Sequence, residues 1–321
     1  MLDCSYYWVL WRGILTQDMD KLLRRIDGLK RYFLPLGAMG LLLLLGLSIY
    51  FLRGSSFPML HPKGIIALHE RNLMLLSILL MSMVVLPVLG LTGYIAWRYR
   101  KDNLKATYTP DWDHNLVFES IWWGIPCVIV LALAILTFKS SHQLDPARAL
   151  ASDQRPLHVQ VVALQWRWLF IYPEEGIASI NLIEMPKDRP VHFDITSDAP
   201  MNSFWIPQLG GQIYAMTGMT TQLNLVANRL GTYAGSSANL SGKGFSTMHF
   251  SAVSVTSADF DRWVMTAKSS KQILDSSNYA QLAQPREDSA VKTYALAEPT
   301  LFQHVVNKNM PPDSMPNMEM R

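Results

Sequence analysis

The sequence predicts a membrane protein, with apolar spanning helices in its first half and an all-β sandwich followed by a helical arm in its second half. Three long apolar runs precede residue 140, whereas later segments alternate apolar and polar residues with a period of two. About 20 apolar residues cross the ~30 Å of bilayer hydrocarbon, and strict alternation is typical of strands with one buried face. The net charge of +3 over 321 residues is small, so we expect no nucleic-acid partner.

The predicted spanning segments are 33–53, 73–97 and 116–138, and the third carries a single charge, at Glu119. Aromatic residues near the ends of the second and third segments are typical of membrane interfaces. The segment 33–53 is either a signal anchor or a transmembrane helix. We favour an uncleaved anchor, because Arg53 is unsuited to a cleavage site and no cysteine for lipid attachment follows the run.

Basic residues predict the orientation. Lysines and arginines crowd the loop 98–115 and the stretch 24–31 before the first run. The positive-inside rule therefore makes 1–32 and 98–115 cytoplasmic and puts the chain after residue 138 on the periplasmic face. We expect a multi-pass protein of the bacterial inner (plasma) membrane with contacts to membrane lipid. Met1 and Met19 both remain candidate starts.

The second half is predicted as a linker at 139–155, a β-sandwich domain at 156–268 and an arm and tail at 269–321. Period-two alternation begins at residues 157, 191 and 222, and turn residues rich in glycine, proline and asparagine separate the runs. Seven or eight short strands indicate an antiparallel sandwich or a small barrel. Further helices are predicted after Ser257, around 271–283 and around 298–308, before a tail rich in proline and methionine.

Three motifs in order, together with the C-terminal arm, carry a resemblance to a known family. Residues 165–178 resemble the aromatic segment of subunit II of the haem–copper oxidases, and 201–210 resemble its first copper-ligand strand. Residues 231–248 resemble its second ligand loop, and the last 40 residues resemble the aromatic-rich arm of quinol-oxidase subunits. The match is closest to the bo-type, whose lipid-anchoring cysteine this chain lacks. The resemblance implies a cupredoxin-like fold for the outer domain.

The same resemblance locates six positions at which copper-bearing members hold two copper ions with two cysteines, two histidines, a methionine and a backbone carbonyl. Here those positions are Asn202, Ser237, Asn239, Ser241, Phe245 and Met248. A hydroxyl cannot replace a bridging thiolate, and a phenyl ring offers no donor atom. Because the two cysteines, Cys4 and Cys127, both lie before this domain, we predict that the chain holds no metal or cofactor and that Met248 packs in the core.

The resemblance then implies a subunit of a ubiquinol oxidase that reduces O2 to water and moves protons. Haem and copper are expected in subunit I, subunits III and IV complete the complex, and ubiquinol is its substrate. The near balance of acidic and basic residues after residue 138 argues against docking of cytochrome c. Trp166 and Trp168 are expected to contact subunit I. Glu119, seven residues before Pro126, matches the family's glutamate at the cytoplasmic mouth of a proton pathway.

Two alternatives stay open at this point. A cytochrome c oxidase subunit II would need the missing thiolates. A membrane-anchored binding or assembly factor on a cupredoxin scaffold would need no redox centre. Among the histidines, His158 and His192 fall on the polar phase of their strands. Solvent exposure is therefore expected for both, and no histidine pair has a spacing that predicts a metal site.

Overall fold

A computed structural model gives two long helices, a two-sheet β-sandwich and three shorter C-terminal helices. One compact unit comprises Met1–Phe57 with Val85–His114, and the other comprises Pro58–Val84 with Asn115–Arg321. Apart from Gly46 and Tyr50, the predicted segment 33–53 lies outside the described residues, as does most of the methionine-rich tail. The structure describes Gly46, Tyr50, and residues 57–101, 103–107, 109, 114–286 and 290–310.

The two long helices contain the second and third apolar runs. Helix α1 spans Ile65–Arg98 and helix α2 spans Leu116–Gln143. Both are long and apolar enough to cross a bilayer, and no residue in the most apolar stretch of either is buried within the protein. Helix α1 begins before its predicted run and α2 ends after its own. The added turns contain polar residues such as Glu70 and His142, which the search for apolar runs left out.

Asn115 caps the start of α2. Its side-chain oxygen accepts hydrogen bonds from the backbone N–H groups of Val117 and Phe118, both at 3.1 Å. These are two of the N–H groups that a helix start leaves without intrahelical partners. The carboxylate of Glu119 in turn accepts the backbone N–H of Asn115 at 3.2 Å. The helix therefore begins at a defined residue, with Glu119 in its first turn.

The sandwich consists of a seven-stranded sheet, in the order β11-β12-β3-β2-β1-β5-β8, and a five-stranded sheet, in the order β4-β10-β9-β6-β7. The strands that the described residues form are β1 Leu157–Leu164, β2 Arg167–Tyr172, β3 Ile177–Ile180, β4 Leu182–Pro186, β5 Val191–Ser197, β6 Asn202–Trp205, β7 Ile213–Ala215, β8 Thr221–Leu225, β9 Gly231–Ser237, β10 His249–Val255, β11 Ile273–Leu274 and β12 Lys292–Leu296.

The expected sandwich is confirmed, but its sheets are mixed rather than antiparallel. Strand β1 pairs with β5 in parallel, and so do β4 with β10 and β11 with β12. Alternation along a single strand reveals which face is buried but carries no information on the direction of its neighbour. The wrong expectation of purely antiparallel pairing has its origin there.

Aromatic side chains from both sheets fill the space between them. The indole of Trp168 on β2 is fully buried and meets the rings of Phe204 and Phe250 edge-on, with centroids 5.5 and 5.7 Å apart. Phe204 on β6 and Phe250 on β10 stack at 5.2 Å with an interplanar angle of 8°. Edge-on and offset ring contacts add to the free energy of burial, so this cluster joins the two sheets.

The C-terminal arm is part of the sandwich and not a separate unit. Strand β12 pairs with β3 and so extends the larger sheet. Helices α4 (Ser276–Leu282) and α5 (Leu301–Lys308) cover that sheet and form a second buried cluster with it. Helix α3 (Ser257–Lys268) precedes them. The helices expected around 271–283 and 298–308 are confirmed in shortened form, and β12 was not anticipated.

The start of α1 is bonded to the loop that follows β6. The backbone N–H of Lys63 donates to the carbonyl of Gln208 at 2.8 Å, and the N–H of Gly211 donates to the carboxylate of Glu70 at 3.0 Å. At Gly64 an added Cβ would lie 2.5 Å from the carbonyl oxygen of Val226, which explains why glycine is needed at this close approach.

Gly235 on β9 offers a test of the sandwich packing. A Cβ at this position would lie 2.1 Å from Cζ of Phe250, in the middle of the aromatic cluster. We expect Gly235→Ala to lower the free energy of unfolding by about 1–3 kcal/mol, the usual cost of overpacking a core. The exposed neighbour Ala234 supplies the control, since Ala234→Ser should change it by less than about 0.5 kcal/mol. Denaturant unfolding followed by tryptophan fluorescence measures the free energy of unfolding of both variants. Equal values for Gly235→Ala and Ala234→Ser would contradict the close contact of residue 235 with Phe250.

Candidate functional site

Three segments of the sandwich bring together the six positions that correspond to copper ligands in copper-bearing members of the family. Asn202 begins β6, Ser237 ends β9, and the loop between β9 and β10 carries the rest. Phe204 pairs with Ser237 across β6 and β9, and the N–H of Ser237 donates to the carbonyl of Met248 at 3.3 Å. The structure therefore assembles in one place the positions that the sequence singled out.

A chain of hydrogen bonds joins the polar members of this group. The hydroxyl of Ser237 lies 3.0 Å from Oδ1 of Asn202 and 3.2 Å from the carbonyl oxygen of Asn239. The amide of Asn202 donates to the carbonyl of Pro200 at 2.7 Å, and that of Asn239 to the carbonyl of Met201 at 2.9 Å. Asn202 and Ser237 are buried, so these bonds meet the requirement that buried polar groups find partners.

The other three positions carry one hydroxyl and two apolar side chains. The hydroxyl of Ser241 lies 4.0 Å from the sulfur of Met248, and Phe245 begins a short 3-10 helix, Phe245–Thr247. Met248 is 1% exposed and belongs to the main core. Its predicted role in core packing is confirmed.

These residues do not fit a dinuclear copper centre. Such a centre needs bridging thiolates, which share charge between two soft ions, and imidazoles that complete each coordination sphere. The group offers hydroxyl and amide oxygens that are engaged in hydrogen bonds with one another, and a single thioether. The arrangement can hold the loop in shape, but it lacks the donor atoms that would carry an electron through copper.

Trp166 closes one side of this loop. Its indole N–H donates to the carbonyl of Ser241 at 3.2 Å, and an added Cβ at Gly244 would lie 2.3 Å from the ring. Trp166 has a φ of 66°, a left-handed conformation that bulky residues seldom adopt. Residues held in this way are over-determined by their surroundings, and here the ring rests on the glycine backbone of the loop.

The expected contact of Trp168 with subunit I is wrong. Trp168 is 0% exposed, and its ring is surrounded by the aromatic core of the sandwich. Trp168 lies two residues after Trp166 in sequence, which suggested a shared role. Trp166 precedes β2, however, whereas Trp168 lies within β2 and faces the core. Trp166 is half-buried, so its contact with a neighbouring subunit stays a prediction.

His158, His192 and Asp194 form a cluster that the sequence did not predict. The parallel pairing of β1 with β5 sets His158 opposite His192, and their side chains are 30% and 28% exposed. The expectation of simple solvent exposure is therefore wrong. A hydrogen bond between the ring of His158 and the carboxylate of Asp194, at 2.7 Å, raises the pKa of His158 and lowers that of Asp194. The sequence did hold one signal for this cluster, since His158, His192 and Asp194 all occupy polar positions in the period-two alternation of their strands.

Comparison with known families agrees with this geometry. The description "Cytochrome C oxidase subunit II, transmembrane domain" matches residues 47–140, and "Cytochrome C oxidase subunit II, periplasmic domain" matches 174–255. A third, "COX Aromatic Rich Motif", matches 268–313. The chain belongs to the subunit II family of the haem–copper oxidases. The membrane helices, the cupredoxin-like sandwich and the arm of this subunit II thus correspond to three described modules.

Relatives of this subunit II are named as quinol oxidase subunits. The chain is 49% identical over 262 residues to "Cytochrome bo(3) ubiquinol oxidase subunit 2" of Pseudomonas putida, covering 82% of this chain and 83% of the relative. It is 46% identical over 257 residues to the protein of the same name in Pseudomonas aeruginosa, covering 80% of this chain and 78% of the relative. It is 45% identical over 263 residues to "Ubiquinol oxidase subunit 2" of Acetobacter aceti, covering 81% and 85%.

The donor set of the loop predicts that this subunit II binds no dinuclear copper. Copper added to the purified chain in detergent should give neither a purple colour nor the electron-paramagnetic signal of a mixed-valence pair. Restoring the ligands together should create both, because the loop already holds all six positions. The substitutions are Asn202→His, Ser237→Cys, Asn239→Glu, Ser241→Cys and Phe245→His.

A matched control carries the same changes except the two cysteines and should stay colourless, since no thiolate would bridge the ions. A purple wild-type chain would overturn this assignment of the loop.

Proposed function

We propose that this chain is the non-redox subunit II of a proton-translocating ubiquinol oxidase, which reduces O2 to water in the aerobic respiratory chain. One observation carries the proposal. At the positions where copper-bearing subunits hold their ions, Ser237 donates a hydrogen bond to Asn202, and Asn202 donates one to the carbonyl of Pro200. The relatives named as ubiquinol oxidase subunits support the same reading.

The solubility of the electron donor explains why such a subunit needs no relay. Cytochrome c is a soluble protein of the outer face, so its electrons must pass through the outer domain. Ubiquinol stays in the lipid and reaches subunit I directly. In this proposal haem and copper belong to subunit I, and the outer domain neither docks cytochrome c nor carries electrons.

The remaining role is structural support of the complex. The two apolar helices would lie against subunit I within the bacterial inner membrane, in contact with lipid and in a complex completed by subunits III and IV. Basic residues within the loop 98–115 and in the stretch 24–31 favour a cytoplasmic loop and a periplasmic sandwich. Trp166, seated on the loop of the former copper site, is the residue we expect to meet subunit I at the outer face.

Purification of the complex through this chain tests the proposal. A stoichiometric haem-bearing subunit should copurify, and its reduced-minus-oxidised spectrum should show the haem bands. Oxygen consumption should be rapid with ubiquinol and stay at background with cytochrome c. Rapid turnover with cytochrome c would identify the other class of oxidase, and absence of haem from the preparation would point to a binding or assembly factor.

Glu119 is proposed to collect protons at the cytoplasmic face. It lies in the first turn of α2, half-buried, where a carboxylate can exchange protons with water. The hydrogen bond from the N–H of Asn115 fixes its position. The pattern of a glutamate seven residues before Pro126 matches the family's proton-uptake position. The same bond also gives Glu119 a capping role, which any test must separate from proton transfer.

Glu119→Gln makes that separation, because the amide oxygen can still accept the N–H of Asn115 but cannot carry a proton. We expect turnover with ubiquinol to fall roughly tenfold, since positioned proton carriers contribute ~10²–10⁴ and water can replace part of this. Glu119→Asp should lose less, and haem spectra should be unchanged in both. Ser120→Ala, on the next residue, is the control. Full activity of the glutamine variant across the pH range would limit Glu119 to capping.

A further inference from the structure

The cluster of His158, His192 and Asp194 has the composition and geometry of a metal site. Each residue offers one ligand atom, and these atoms all lie within 4.8 Å of one another. The cluster shares no residue with the loop of the former copper site. It rests on the central strands β1 and β5 of the larger sheet, so its backbone is fixed by the parallel register that pairs His158 with His192.

The distances are close to those that a tetrahedral ion requires. Zinc bonds of about 2.0–2.2 Å to nitrogen and oxygen place neighbouring ligand atoms about 3.3 Å apart. In the structure Nε2 of His158 lies 2.7 Å from Oδ2 of Asp194, and Nε2 of His192 lies 3.5 Å from Oδ1 of Asp194. Small side-chain rotations therefore suffice to place all three ligands around one ion, without movement of either strand.

A second contact prepares His192 for metal binding. Its Nδ1 lies 2.9 Å from Oδ1 of Asn224. The amide of Asn224 donates to the carbonyl of Pro146 at 3.1 Å, which turns Oδ1 towards the ring. Because Oδ1 can only accept, the contact orients the ring with Nδ1–H towards Asn224 and Nε2 towards the cluster, where Nε2 is free to bind an ion once it carries no proton. Ring N–H groups held in this way are typical partners of metal-binding histidines.

The surroundings leave room for a further ligand. The side chains of His158, His192 and Asp194 are 30%, 28% and 19% exposed, so water reaches the cluster. Gln160 pairs with Asp194 in the β1–β5 register, and its side-chain oxygen is buried with no hydrogen-bond partner among the described residues. The site thus has three protein ligands, access for water, and a neighbouring oxygen that lacks a partner.

We propose that His158, His192 and Asp194 bind one Zn2+ ion on the outer domain, with a fourth position open to water. Two imidazoles and a carboxylate suit zinc, whereas calcium and magnesium favour sites built from oxygen alone. The ion takes the place of the proton shared by His158 and Asp194, and that proton goes to solvent. In the absence of zinc the three side chains form an ordinary ion pair and hydrogen-bond cluster.

Equilibrium dialysis of the full chain in detergent against Zn2+, followed by measurement of bound metal by mass spectrometry, tests the site. The wild-type chain should retain one zinc ion that His158→Gln and His192→Gln each fail to retain. The control is His249→Gln, on the exposed histidine that begins β10, and it should retain the ion. Thermal unfolding with chelator present verifies that each variant is folded.

The variant Asn224→Asp keeps an acceptor for His192 and should bind zinc, whereas Asn224→Ala should weaken the affinity about 10–100-fold, the usual effect of losing such a partner. Zinc-induced shifts of the histidine ring resonances would report binding even where one variant is unstable. The proposal is overturned if the wild-type chain retains no zinc at this cluster, or if His158→Gln and His192→Gln hold it as tightly as the control. Neither outcome bears on the oxidase role, which is measured separately with ubiquinol.

Discussion

The edge-on packing of Trp168 against Phe204 and Phe250 is the interaction on which the outer domain depends. It joins the two sheets, and it also fixes the two ends of the loop between β9 and β10. Asn202 and Met248 each lie two residues before one of the two phenylalanines. Since side chains alternate along a strand, Asn202 points to the same inner face as Phe204 on β6. Met248 precedes β10 and is buried in the same core as Phe250. The packing that stabilises the fold thus determines where the six ligand positions meet.

The strands that carry the six positions can therefore be conserved in structure while the side chains at those positions differ in chemistry. The strands around the loop are retained by the burial of aromatic side chains, which does not require copper. The ligand positions are free to change as long as each buried polar group keeps a partner, and Ser237 with Asn202 meets that condition. The result is a loop in which the polar side chains bond to one another and to nearby backbone carbonyls.

The sequence predicted most of this architecture because local patterns report local properties. Apolar length predicted α1 and α2, and period two predicted the buried face of β1 and β5. Pairing between distant strands leaves no such local pattern. The attachment of β12 to β3 and the parallel register of β1 with β5 could be found only from the fold. The polar phase shared by His158 and His192 was visible in the sequence, but only the register shows that the two residues meet. Trp168 was misassigned for the same reason, since proximity to Trp166 in sequence does not place two side chains on one face.

The contacts at the start of α1 connect the sandwich to a helix that is long and apolar enough to cross a bilayer. Residues 208–211 follow β6, which carries Asn202, and they bond to Lys63 and to the carboxylate of Glu70 at the head of the helix. The segment that follows β6 is thus held to the head of α1 by hydrogen bonds to the backbone and to a carboxylate. The same bonds fix the sandwich at the first turns of a helix that is long and apolar enough to cross a bilayer.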